Sequence, residues 1–454
     1  MQRPLSLVLA VLLVLLSFAG CTQEVKLDPD FPVTLSIWHV YGSQTQSPLN
    51  DVIAEFNRTV GKEAGIIVDV TSVSDSTTID EMLQAAANDL PGAADLPNLF
   101  VAYPRVAELI GADRLLDWSE HFSKDMLSAY LPGFLSEGWF GDKLLMLPIA
   151  KSTELLFLNK TIFDSFAADG AVKAQDLTDF ESLFSACTAY YDWSGGQAMF
   201  QINDFYHYFL ATVTSMGEAF ITDGAINTES AAFEAAFYPM AQAAIHGGLC
   251  VGDGYASDRW KTGEVISNIG SSAGILYLRD YVTYPDNTTL DIETNVLPYP
   301  TFCGKDPVVV QRGGGLFAVK SQDPRINKAA AIFAKWITTG QPNLDFVTKA
   351  GYLPVTKASI DLLRSNMEMV ENPKYRLLYT TVADVYDTYA FCALPLYQGS
   401  GAVQSAFEKA VKSALYAAHE TYVTRVEAGE DGTVILPQLT EAALAEIRNA
   451  VSGT

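Results

Sequence analysis

Gly141–Lys160 reads GDKLLMLPIAKSTELLFLNK. Two apolar runs of strand length, Leu144–Leu147 and Leu155–Leu158, flank Pro148-Ile149-Ala150-Lys151-Ser152-Thr153. Proline has no N–H to give a central ladder, so Pro148 marks the end of one strand or a crossing between two sheets. Lys151, Ser152 and Thr153 then place a cation and two hydroxyls beside backbone that has just left a sheet. Such a strand break is either an ordinary polar turn or a place where a rigid scaffold holds a ligand.

Upstream, Val33–Val40 and Ile66–Val73 read as strands and Leu99–Tyr103 as a short third strand. Between them, Leu49–Arg58 and Ile79–Asp89 carry apolar residues at helical spacing. Strand, helix, strand, helix, strand argues for an α/β layer with a parallel, doubly wound sheet. Ligands on such sheets sit at the carboxyl ends of the strands. Those ends offer Trp38, His39, Tyr41, Ser74, Asp75 and Tyr103, a set rich in aromatics and hydrogen-bonding groups.

Downstream the chain is mostly helical, with helices expected at Leu177–Tyr190, Phe205–Met216, Ser230–His246, Asn327–Ile337, Ala402–Val426 and Thr440–Val451. Strands are expected at Val265–Ile269, Val296–Pro300, Val308–Gln311 and Leu316–Val319, with a helix opening at Gly270 and running to Tyr281. Tyr375–Tyr397 holds five tyrosines.

The 454 residues suggest two or three domains. A formal net charge of −24, with no run of Lys or Arg, argues against nucleic acid or an anionic membrane face as a partner. At the N-terminus, Arg3 precedes the apolar segment Leu5–Ala19, which ends in Phe18-Ala19-Gly20-Cys21. This is the layout of an export signal, too short for a membrane span. Cys21 after Ala-Gly resembles the bacterial lipoprotein box, so residues 1–20 are expected to be removed and Cys21 lipidated. Residues 21–31 would form a tether on the outer side of the membrane. Cys187, Cys250, Cys303 and Cys392 are widely spaced, and the sequence chooses no disulfide pairing among them.

Gly270–Gly274 matches the G-x-S-x-G pattern of a hydrolase nucleophile, with Ser272 at its centre. The histidine that must follow is His419 alone, within an expected helix, which makes a secreted serine hydrolase the alternative outside the binding class. No metal spacing, phosphate loop or cofactor motif is present, and no cofactor is expected.

Several segments recur in a known order. They are Trp38-His39, Leu147-Pro148 with Lys151-Ser152-Thr153 and Phe157–Lys160, Thr262–Val265 with Gly270–Ser272, Gly313–Leu316, Ala329–Trp336 and Gly351–Thr356. Together they resemble the carbohydrate-type extracellular solute-binding proteins of ABC importers, over nearly the whole chain after Cys21. The nearest pattern is similar to glycerol-3-phosphate-binding proteins. The resemblance implies the two-lobe (type II) periplasmic-binding-protein fold, non-enzymatic, with lobes joined by a multi-segment hinge. Residues 32–149 and 302–340 would form one lobe and residues 150–301 and 341–454 the other, with crossings near 149–153, 298–302 and 338–346.

By position in that family, Ser152, Ser271 or Ser272, Gly313 and Tyr352 are expected to contact ligand, with Tyr208 as an aromatic near the site. Gln201 and Asp204 in the same segment, and Lys151 and Arg312 as cations, complete the candidate set. Two departures matter. Pro104 stands where the family has an acidic residue after the tyrosine, and the segment Leu394-Pro395-Leu396 to Val403-Gln404 lacks its arginine. Losing that cation removes the partner a phosphate would want. The expectation is therefore a monomeric, lipid-anchored receptor that delivers a sugar or polyol to permease subunits. A glycerol-phosphate or glycerophosphodiester binder is the alternative within the class.

Overall fold

The computed structural model describes residues 25–41, 47–170, 172–397 and 399–452. The export signal, Cys21 and the first part of the tether lie outside the described residues. The rest of the expected tether is not free: Leu27 packs on the core and the Val25 carbonyl accepts from Lys328 Nζ at 2.5 Å.

Ser152–Asn159 is buried at all eight positions. A strand can be so only when ladders run on both sides and side chains are covered on both faces. It pairs antiparallel with Ser267–Ser271 on one side, and with Thr294–Leu297 and Val308–Arg312 on the other. It is thereby central to a seven-stranded sheet. Outward from Ser267–Ser271 lie Phe200–Ile202 and Leu249–Cys250, both in parallel pairings. Ala390–Cys392 closes the opposite edge beside Val308–Val310. Phe205–Ser215 and Ala231–His246 cover this sheet with a packed aromatic layer in which Phe209 stacks on Phe233 at 4.4 Å. Ser400–Glu427 and Gly432–Val451 pack on each other and on Ala231–His246.

The first sheet has four strands, in the order Gly315–Ala318, Leu99–Ala102, Val33–His39, Ile66–Ser72. Three are parallel, as the strand–helix alternation predicts, and Gly315–Ala318 returns antiparallel. Side chains alternate between two cores. Leu35, Ile37, Leu99, Val101 and Leu316 face one, with the helix Pro48–Arg58. Trp38, Phe100 and Phe317 face the other, with Ile79 and Leu83 of the helix Ser76–Ala87. The Ser47 hydroxyl accepts from Asn50 N–H, and the Asp75 carboxylate accepts from Thr77 and Thr78, capping these two helices.

Several expectations are corrected. Leu144–Leu147 is not a regular strand: Lys143–Leu144 pairs with Trp139–Phe140, and Leu147 bridges to Leu316. Ser272–Tyr277 is a 3₁₀ turn followed by the strand Tyr281–Thr283, not one helix to Tyr281. The boundary expected at 302 moves, because Val308–Arg312 belongs to the second sheet and the chain crosses only at Gly313–Gly314. Likewise the helix Gly340–Ala350 packs on Pro48–Arg58, so the third crossing comes after it. The four cysteines Cys187, Cys250, Cys303 and Cys392 are free.

Candidate ligand-binding site

The crossings lie side by side. Lys151 and Leu353 exchange backbone hydrogen bonds, Gln311 and Arg312 pair with Thr153 and Ser152, and Leu147 bridges to Leu316. Gly313 turns with φ +95°, a conformation open to glycine at little cost. At Gly314 a Cβ would lie 2.4 Å from the Ala102 carbonyl oxygen.

A cleft of about 60 Å³, room for a few water molecules, opens beside these crossings. Tyr103, Pro104 and Arg105 bound it from the first sheet, and Gln311, Arg312 and Gly313 from the crossing. Tyr206, Leu394–Leu396, Ser400, Gly401 and Gln404 bound it from the second body. The two departures from the family pattern, Pro104 and the arginine-free segment ending in Gln404, thus meet in one cleft.

Of the residues expected at the site, Tyr103, Arg312 and Gly313 line it. Half-buried Tyr352 and Tyr41 stand edge to face at 5.0 Å beside the same crossing. Burial, then the neighbouring Tyr103 and Tyr277, raises the Tyr352 phenol against the opposing pull of Arg312. His39 is fully buried. Its Nδ1 accepts from Tyr41 N–H at 3.1 Å, so Nε2 carries the proton donated to Asn50 Oδ1 at 2.8 Å. Burial lowers its pKa to about 4 despite that hydrogen bond. His39 is therefore a neutral support for Tyr41, not a group facing solute.

Five further expected residues, Trp38, Tyr208, Gln201, Lys151 and Ser152, are buried. Trp38 lies in the core of the first lobe. Tyr208 is buried against Phe180, Phe184 and Phe209, with its hydroxyl donating to the Ala236 carbonyl. Gln201 is buried and bonded to the Gly254 carbonyl and Arg259. Lys151 is wholly buried, paired with Glu137 and donating to the Gly313 carbonyl at 2.8 Å, so its charge is spent within the hinge. Ser152 is buried in its strand, and the Ser271 hydroxyl caps the following turn by accepting from Ala273 N–H.

Ser272 is fully buried and its Oγ has no partner among the described residues. His419 sits in the helix Ser400–Glu427, bonded to the Ile245 carbonyl. The serine and histidine of the hydrolase alternative thus make no hydrogen bond to each other.

Behind the cleft lies a charge cluster that joins the expected Arg312 and Asp204 to Glu154 and His207, which the sequence does not single out. Glu154 Oε1, buried in the central strand, accepts from Arg312 Nη1 at 3.0 Å and lies 3.1 Å from His207 Nδ1. Asp204 caps the helix Phe205–Ser215 and stands 3.4 Å from the same imidazole nitrogen. Burial pushes the Asp204 carboxyl up, but His207 and Arg312 outweigh it and hold the group below its ordinary range. The sequence carries one signal: Glu154 stands directly before the apolar run Leu155–Leu158, on a strand buried throughout, and a buried charge requires a partner. Arg105 lies 5.5 Å over the Tyr103 ring and is paired with Asp80.

Two lobes, each with its own sheet, closing on a cleft beside several chain crossings define the two-lobed binding-protein fold. The profile of the family described as bacterial extracellular solute-binding protein matches residues 51–375, and the chain belongs to that family, whose members are binding proteins and not enzymes.

Solved structures share the fold at low identity. The cyclic α-maltosyl-1,6-maltose-binding protein of Arthrobacter globiformis is 17% identical with a TM-score of 0.66, covering 93% of this chain and 100% of its own. UgpB from Mycobacterium tuberculosis, in complex with glycerophosphocholine, is 16% identical with a TM-score of 0.67, covering 92% and 99%. The Listeria monocytogenes protein Lmo0181, in complex with cycloalternan, is 12% identical with a TM-score of 0.65, covering 93% and 99%. No curated protein matches the chain in sequence. Among the described residues no helix is long and apolar enough to cross a membrane.

Proposed function

We propose that this chain is the substrate-binding component of an ABC-type importer, which captures a neutral sugar or polyol between its lobes and presents it to the permease. The observation that carries the neutral class is the pairing of the cations around the cleft. Arg312 is held by Glu154, Arg105 by Asp80 and Lys151 by Glu137. An anionic ligand would have to compete with a carboxylate already in place for each of them. The walls offer instead the Tyr103 ring and the apolar Leu394-Pro395-Leu396, surfaces on which the apolar faces of sugar rings pack. The solved relatives named for sugars support this reading. Cys21, after its export signal, would tether the receptor by lipid outside the membrane.

Thermal unfolding of the chain from Thr22 onward, against maltose, maltotetraose, simple polyols, glycerol 3-phosphate and glycerophosphocholine, tests the proposal. A solute at about 100 times its dissociation constant adds about 2.7 kcal/mol. A shift with a neutral sugar or polyol is expected. A shift with the phosphate compounds alone would overturn the neutral class and restore the glycerophosphodiester alternative.

A further inference from the structure

Two carboxylates from different elements meet at the start of the helix Phe205–Ser215. Asp204 is its N-cap and accepts from His207 N–H at 2.9 Å. Glu408, reaching across from Ser400–Glu427, accepts from Tyr206 N–H at 2.6 Å. Because the N–H groups they accept belong to adjacent residues, the two carboxyl groups are brought within reach of each other. Ionised carboxylates only accept, so a hydrogen bond between them needs one of the two to carry a proton.

The surroundings say which. His207 and Arg312 lie on the Asp204 side and keep it ionised despite burial. Glu408 is raised to about 8, first by burial and then by the Asp204 charge. Its buried Oε2 makes no hydrogen bond to a donor among the described residues, so no N–H or O–H there favours the ionised form. The charged and titratable groups around the pair are His207 on the first helix, Arg312 and Glu154 on the sheet, Tyr206, Tyr397 and Lys412. Lys412 Nζ is 3.7 Å from Glu408 Oε2 on the same helix.

The helix that carries Glu408 also carries one wall of the cleft. Ser400, Gly401 and Gln404 line it, Gln404 one turn before Glu408, and Tyr206 lines it from the other helix. The start of that wall has no side-chain cap of its own.

We propose that Glu408 is a positioning residue of the cleft: the proton it shares with Asp204 docks the wall Ser400–Gln404, and losing it loosens the wall and weakens solute binding. Deprotonation sends the proton to solvent and leaves two buried carboxylates in contact, which repel. The effect on binding rests on reading the cleft as the solute site; the docking itself does not.

Hydrogen–deuterium exchange on the solute-free chain from Thr22 onward tests the docking. The wild type is compared with Glu408→Gln and Glu408→Ala across about pH 6 to 9.5, after correction for intrinsic rates. In the wild type, residues 399–408 and 204–208 should exchange about tenfold faster at about pH 9 than at about pH 6.5. Glu408→Gln should stay slow throughout, because its amide accepts from Tyr206 and donates to Asp204 at any pH. A wild type without pH dependence, or a Gln variant that titrates like the wild type, overturns the proposal even if Glu408→Ala does not fold.

Maltotetraose then serves as the binding probe, with affinity falling over the same pH range in the wild type and not in Glu408→Gln. No binding of maltotetraose at any pH would count against that solute alone, and the exchange profile would still decide the role of Glu408.

Discussion

Lys151 is buried with Glu137 and the Gly313 carbonyl, tying the first crossing to the second. Removing one member of a buried ion pair leaves an uncompensated charge, a loss of about 3–5 kcal/mol. Lys151→Met should therefore cost that much in urea unfolding, and Lys151→Met with Glu137→Leu should recover part of it. If the double variant were as unstable as the sum of the two singles, the pair would not be the cause. His39 makes a second prediction with a definite sign. Its folded pKa of about 4 lies below the ordinary 6.5, so the unfolded chain binds the extra proton first. Stability from neutral His39 is present above pH 6.5 and lost as the pH falls toward 4, by about 3 kcal/mol. Urea midpoints at about pH 7.5 and about pH 4 should diverge more in the wild type than in His39→Gln. Spacing could not show the burial of Lys151 or His39, because the groups that bury them come from segments distant in sequence.

Strands were legible in proportion to how completely they are buried. Leu155–Leu158 stood out because both faces of its sheet are covered, and Val33–His39 because its alternating residues feed two cores. Leu144–Leu147 has the same composition but pairs only at Leu144 and through one isolated bridge at Leu147, so apolar content alone does not define a strand. The helices Gly340–Ala350 and Pro373–Thr388 carry weaker signals. The first has Gly340 and Pro342 in its opening turn, and the second is marked in sequence by its tyrosines, of which Tyr379 and Tyr386 donate to carbonyls of packed neighbours. The glycine run shows the same limit: Gly313–Gly315 was legible as a turn but not as the crossing between sheets. Gly314 is there for space, since an added Cβ meets a carbonyl oxygen of the first sheet at 2.4 Å. Gly314→Ala should force that strand apart from the crossing and cost about 1–3 kcal/mol, read as a lowered urea midpoint with an unchanged slope. A neutral outcome would mean that the crossing shifts freely against Ala102.

At the scale of the whole molecule, the cleft joins groups from both lobes: Tyr103 and Arg105 on one, Tyr206 and Gln404 on the other. At about 60 Å³ it has room for a few water molecules and none for a sugar ring, so solute binding by this cleft would require it to widen. A solute that touches both walls binds the closed arrangement better than the open one, and its differential affinity sets how far the population moves. Turning a mostly open ensemble into a mostly closed one, from 1:99 to 99:1, needs about 10⁴-fold preference, or about 5.5 kcal/mol. No single hydrogen bond supplies that, so both walls must contribute. Gln404→Ala and Tyr103→Ala should each weaken binding of an identified solute by about tenfold or more, consistent with the loss of one good contact. Each should also leave the molecule larger in X-ray scattering at a solute concentration that compacts the wild type. If either variant bound more weakly yet compacted fully once saturated, its wall would add affinity without favouring the closed state. Closure would then be driven from the other lobe alone.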